Sequence, residues 1–221
     1  MRSEKWFAHT LLKIFGVQVQ VQVLDPSSRS ERGRGKLYFS NHVSWLDIFA
    51  FNAVNPIVFI AKSEIAQWPL IGKFAVKSGT LFIERGKRQA VRDVVHSAAE
   101  TLKAGQDVAV FPEGTTGPGD APLPFHSNFV QPAILAGAPI VPVSLQYLDR
   151  QGNWTSLPAF LGEQTLLENI RVLMANLGGF TVRLVYHPTI EPGNQTRQEL
   201  CAKARQMIAS GCATHLDTVN Q

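Results

Sequence analysis

The sequence predicts an α/β fold, a mostly parallel or mixed sheet covered by helices. Short apolar runs of strand length alternate with longer stretches of helical periodicity. The 221 residues, 45% hydrophobic and 17% charged, suffice for one sizeable core and are too apolar for a disordered polyelectrolyte. Seventeen Gly and thirteen Pro without a G-x-y period supply turns and exclude collagen-like or coiled-coil chains. No internal repeat or long linker divides the chain, so residues 1–221 are expected to form one domain.

Residues 1–16 are expected to form an amphipathic helix, with Phe7, Leu11, Ile14 and Phe15 on one stripe and Lys5 and Lys13 among them. Two readings stay open for it: a core helix, or a helix lying in a lipid interface with Trp6 and Phe7 inserted. Val17 to Val23 alternates with Gln18, Gln20 and Gln22, the period of a half-buried strand. The basic loop that follows lacks a Walker motif, because Ser30 and Leu37 stand where Gly and Ser or Thr are needed. Further strands are expected at 36–40, 57–60, 80–84, 107–111, 140–146 and 181–186. Helices are expected at 44–53, 68–77, 89–103, 128–136, 163–176 and 197–210, with Gly105 stopping the third.

Charge is uneven. Residues 1–92 carry fourteen Lys and Arg against six acids, and residues 93–221 carry seven against eleven. A basic half favours polyanions such as phosphorylated metabolites, nucleic acid or an anionic membrane leaflet. No run of about 18 apolar residues would span a bilayer; the best, Phe129 to Leu145, is broken by Pro132, Pro139 and Pro142. No secretory leader is read at the N-terminus, and Cys201 and Cys212 fit neither a disulfide scaffold nor a zinc site, so a reducing cytoplasm is expected.

Candidate chemistry lies where strands run into loops. His42 precedes Asp47 by five residues, which in one continuous helix would set the two side chains roughly 140° apart. They can meet only if His42 lies before the helix, and Ser44 is the expected N-cap. Ser44-x-x-Asp47 also reads as a plain capping box. A His backed by an Asp can draw the proton from an alcohol, the acid fixing the tautomer and stabilising the imidazolium. The chain has no G-x-S-x-G elbow, so the alcohol would belong to a substrate. Arg85, at a strand end, is suited to clamp a phosphate or to pair with Glu84. Glu113, Gly114 and Thr115 sit in a Gly- and Pro-rich turn that admits a ligand close to the backbone.

Together these residues resemble the glycerolipid acyltransferase family, the group containing the 1-acylglycerol-3-phosphate acyltransferases. Asn41, His42 and Asp47 match its N-H-x4-D block, and Gly79, Phe82, Ile83 and Arg85 match G-x-x-F-I-D-R, with Glu84 replacing Asp. Phe111 to Thr115 match F-P-E-G-T, and Val141-Pro142-Val143 match the Val-Pro block. Ala61 to Glu64 and Trp68 to Gly72 are similar to the stretch between the first two blocks. The resemblance covers about residues 36–145.

It implies transfer of a fatty acyl group from acyl-CoA or acyl-ACP to the free hydroxyl of a 1-acyl-glycerol-3-phosphate-type lysophospholipid. His42 would be the base and Asp47 its partner, and Lys62, Arg85, Glu113, Gly114 and Thr115 would hold the acceptor. No metal or tightly held cofactor is expected. The partners implied are the acceptor, the thioester donor and an anionic membrane surface, on whose cytoplasmic face the protein would sit peripherally. Nucleic acid is not expected, because no DNA- or RNA-reading motif is present. Thr116 replaces the Arg that follows F-P-E-G-T in many members, and with Leu123 to Ser127 resembles the branch acting on lyso-ornithine lipids or lysophosphatidylcholine. His126 would be either a head-group contact or a loop histidine. The alternatives are a lyso-ornithine lipid O-acyltransferase and a non-catalytic lipid-binding protein on the same scaffold.

Overall fold

The structure is a computed structural model that describes residues 2–28, 35–69, 71–84 and 88–213. Seven strands form one sheet in the order β1-β7-β6-β2-β5-β3-β4. These are β1 (Val17–Val23), β2 (Leu37–Ser40), β3 (Val58–Lys62), β4 (Leu81–Ile83), β5 (Val108–Val110), β6 (Ile140–Leu148) and β7 (Phe180–Tyr186). All neighbours are parallel except β6 and β7, so β1 and β7 run against the other five and the sheet is mixed. β2 and β5 are buried throughout, which is why they read as continuous apolar runs, whereas Gln18, Gln20 and Gln22 of edge strand β1 are exposed.

One face is covered by α1 (Arg2–Ile14), α2 (Asp47–Val54), α3 (Ile71–Lys77) and α6 (Leu166–Ala175). The other is covered by α4 (Arg88–Lys103), α5 (Gln131–Ala136) and α7 (Arg197–Ala213). On α4, Val94, Val95, Ala98 and Leu102 face the sheet and Gly105, at φ 79°, closes the helix end. α6 starts on a capping box in which Thr165 and Glu168 bond each other's backbone amides.

The sequence expectations shift in several places, among them three that bear on the site and the first helix. α2 begins at Asp47, three residues after Ser44, and its N-cap position is Leu46. The stretch 128–136 divides into a 3-10 turn, Ser127–Val130, and α5, with Pro132 in its first turn, where a missing N–H costs nothing. α1 is spent largely on the core: Phe7 stacks on Phe74 at 5.0 Å and meets Phe49 at 6.2 Å, and the Lys5 ammonium donates to the Val54 carbonyl. Phe7 is therefore packed inward, while Trp6 remains 68% and Ile14 59% exposed. Among the described residues no helix is long and apolar enough to cross a membrane.

Candidate active site

β2 and β5 are neighbours whose carboxyl ends deliver the loops carrying His42 and Glu113. The chain leaves β2 for β3, on the far side of β5, and later places β6 on the other side of β2. The strand ends around β2 therefore form a crevice of the kind where open α/β sheets bind ligands.

Asn41 sets the exit from β2. Its buried side-chain amide donates to the Leu145 carbonyl and accepts from the Leu145 N–H, both at 2.8 Å, replacing one rung of the β2–β6 ladder. The main chain is thereby free to turn, and His42 lies in the loop as its spacing required. Its Nδ1 lies 2.8 Å from Oδ2 of Asp47. A buried carboxylate only accepts, so Nδ1 carries the hydrogen and Nε2 is left as the proton acceptor. The imidazole stacks on Phe111, 4.0 Å between centroids and 6° from parallel, and its side chain keeps 18% of its surface in solvent.

Asp47 is fully buried. Oδ2 also accepts from the Val43 and Ser44 amides at 2.7 and 2.9 Å, and Oδ1 accepts from the Tyr147 hydroxyl at 2.8 Å. The carboxylate thus satisfies the Val43 and Ser44 donors ahead of the helix while the Ser44 hydroxyl accepts from the Leu46 N–H at 3.4 Å, and Ser44 is not the N-cap.

The loop after β5 holds His42 by its backbone. The His42 N–H donates to Oε2 of Glu113 at 2.9 Å, and the Gly117 N–H donates to the His42 carbonyl at 2.7 Å. Oε1 of Glu113 accepts from the Leu123 N–H at 2.8 Å. Burial pushes the Glu113 carboxyl up to about 7, against the opposing pull of those two amide donors. Gly114 turns at φ 66°, close against the His126 ring, and Thr115 is exposed beside it. Thr116 is tied by its hydroxyl to the Phe160 carbonyl.

The structure thus brings His42, Asp47, Glu113, Gly114 and Thr115 together. Lys62 ends β3, opposite Ile83 of β4, at the same carboxyl edge of the sheet. Arg85 lies outside the described residues. Two surface depressions lie elsewhere. One, of about 330 Å³, is lined by Lys77, Gln106 and Asp107 at the opposite edge of the sheet. The other, of about 540 Å³, is lined by Arg92, His96 and Arg197 over α4, α5 and α7.

Sequence reasoning missed Tyr147. The strand reading stopped at residue 146, yet period-two alternation from Val143 and Leu145 sets Tyr147 on their face, toward the dyad. His187 bonds the Ser144 hydroxyl at 2.7 Å on the face away from the dyad.

The acyltransferase family model matches residues 18–146. A 1-acyl-sn-glycerol-3-phosphate acyltransferase of Neisseria gonorrhoeae is 45% identical over 130 residues, 59% of this chain and 51% of that protein. A lyso-ornithine lipid O-acyltransferase of Pseudomonas aeruginosa is 36% identical over 208 residues, 94% of this chain and 77% of that protein. The chain thus spans about half the length of the Neisseria relative. The crystal structure of the 1-acyl-sn-glycerophosphate acyltransferase of Thermotoga maritima shares the fold, with a TM-score of 0.70 over 96% of this chain and 77% of that one at 23% identity. With the family model matching more than half of the chain and the Pseudomonas relative aligning over nearly all of it, the chain belongs to the acyltransferase family.

Proposed function

We propose that the protein transfers a fatty acyl group from acyl-CoA or acyl-ACP to the free hydroxyl of a lysophospholipid, a 1-acyl-glycerol-3-phosphate-type acceptor. The observation that carries this is the 2.8 Å His42–Asp47 pair, stacked on Phe111 and partly open to solvent at the carboxyl edge of the sheet. As the acceptor oxygen attacks the thioester carbonyl, its proton passes to Nε2 of His42. The C–S electron pair leaves on sulfur, which takes that proton back from Nε2. Asp47 holds the tautomer and stabilises the imidazolium. Lys62 and Arg85 supply positive charge to the acceptor head group, Gly114 and Thr115 line its approach, and Glu113 acts through the backbone of His42. The reaction so drawn uses no cofactor.

A second acceptor, a lyso-ornithine lipid, is favoured by one observation: the Pseudomonas relative named for that activity aligns over 94% of this chain, against 59% for the Neisseria relative. Purified protein given labelled acyl donor and each acceptor separately decides. Product from lysophosphatidate supports the first reading; product from lyso-ornithine lipid alone replaces it. Lipid binding without transfer to either would leave a non-catalytic lipid-binding protein.

In this reading the protein works peripherally on the cytoplasmic face of an anionic membrane. Exposed Trp6 and Ile14 on α1 and the basic residues of the first half support that placement. Flotation with anionic but not neutral liposomes is the expected result, and equal failure to float on both would refute it.

A further inference from the structure

We propose that Tyr147 is a positioning residue of the dyad, its phenol occupying Oδ1 of Asp47 so that Oδ2 is committed to His42. The inference rests on the acyl-transfer reading and deepens it.

Asp47 has no solvent, and among the described residues no Lys or Arg forms an ion pair with it, so hydrogen bonds hold its charge. Three donors converge on Oδ2: the His42 ring and the amides of Val43 and Ser44. All three come from the segment just before α2. Among the described residues Oδ1 has a single donor, Tyr147, supplied by a different element, β6, at 2.8 Å. Without it a buried carboxylate oxygen would stand unsatisfied, and the carboxylate would gain by rotating to share its donors between both oxygens. The rotation would carry Oδ2 away from the imidazole.

Tyr147 is itself fixed. It is fully buried, opposite Val182 in the β6–β7 ladder, and its carbonyl accepts from the Thr155 N–H. The titratable groups around the carboxylate are His42, Tyr147 and Glu113, and the Ser44 hydroxyl lies beside the phenol. Burial, with the Asp47 charge beside it, raises the phenol well above the usual tyrosine range, so Tyr147 donates and keeps its proton throughout.

The test is Tyr147→Phe in the full chain, which keeps the ring and deletes the donor. Two readouts separate positioning from bulk stability: steady-state kinetics, and the downfield proton resonance of His42 Nδ1–H. We expect kcat to fall about tenfold with KM for donor and acceptor nearly constant, as for loss of a group orienting a functional ligand. The resonance should shift or broaden. Gly211→Ala is the control, because it disturbs the packing of α7 on β6 without touching Asp47. An unmoved resonance with unchanged kcat overturns the proposal, as does a kcat loss no larger than in a Gly211→Ala protein of equal melting temperature. If the wild type transfers acyl groups to neither acceptor, the acyl-transfer reading falls by itself, and the resonance still decides whether Tyr147 holds the pair.

Discussion

On one face of the sheet, α2 and α3 bury Phe49, Phe51 and Phe74, with Trp45 just ahead of α2, against Phe59 and Phe111. On the other, α4, α5 and α7 bury Ala98, Ala133, Ala204, Val94 and Ile208. The aromatic face holds the dyad: Asp47 opens α2, and the Phe111 ring that supports His42 continues into Phe51 and Phe59. Large flat rings fill space around a polar pair while presenting few polar atoms of their own. Small residues on the opposite face let helices approach closely, and there the polar contacts clamp helix to strand, as Ser144 and Gln146 do in bonding the Ile208 and Cys212 carbonyls of α7. The His42–Asp47 pair and the helix clamp are thus divided between faces, alternate residues of β6 serving each.

The largest effect expected on this division is His42→Ala, which should lower kcat by about a thousandfold with folding intact, read by acyl transfer and circular dichroism. Retained transfer would remove the dyad from the aromatic face. Next is Asn41→Ala, which deletes both bonds to Leu145 and should cost about 3 kcal/mol of stability by chemical denaturation, together with activity. Gly211→Ala attacks the other face: an added Cβ would stand 2.2 Å from Ser144 Oγ and 2.8 Å from His187 Nε2. It should cost about 2 kcal/mol and leave kcat of the folded protein unchanged; an equal loss of kcat would break the division.

Glu113 gives a smaller, pH-resolved effect. Its carboxyl rises from 4.5 to about 7, so between those values the folded state keeps a proton that the unfolded chain has lost. The stability it contributes is complete below 4.5 and disappears as pH rises through 7. Melting temperature should decline over that window, and Glu113→Gln should flatten the decline. The smallest expected effect is that of Trp6→Glu: Trp6 is mostly exposed, so stability should shift by less than about 0.5 kcal/mol while liposome binding weakens.

The same division sets what was legible in the sequence. α4 was readable because half its surface meets water and its apolar residues recur with helical period. α2 is buried on nearly every side, from Asp47 to Ala53, so periodicity could not locate its start, and Ser44 was mistaken for its cap. Spacing alone set the condition for His42 and Asp47 to meet, a break in the helix between residues five apart, and the resemblance of the N-H-x4-D block singled the pair out. Tyr147 was not, because a buried strand of nine residues looks alike wherever it is cut, and its partner lies 100 residues earlier. The backbone role of Glu113 was equally hidden, since a carboxylate that accepts from two amides leaves no pattern in its neighbours.

The Glu113–Gly117 turn grips His42 on both sides, through its N–H and its carbonyl. Adding or deleting a residue between those two grips would shift one of them and unseat the imidazole. The length of this turn is therefore constrained from within the fold, because Glu113 and Gly117 must reach the same residue, His42, at two different atoms.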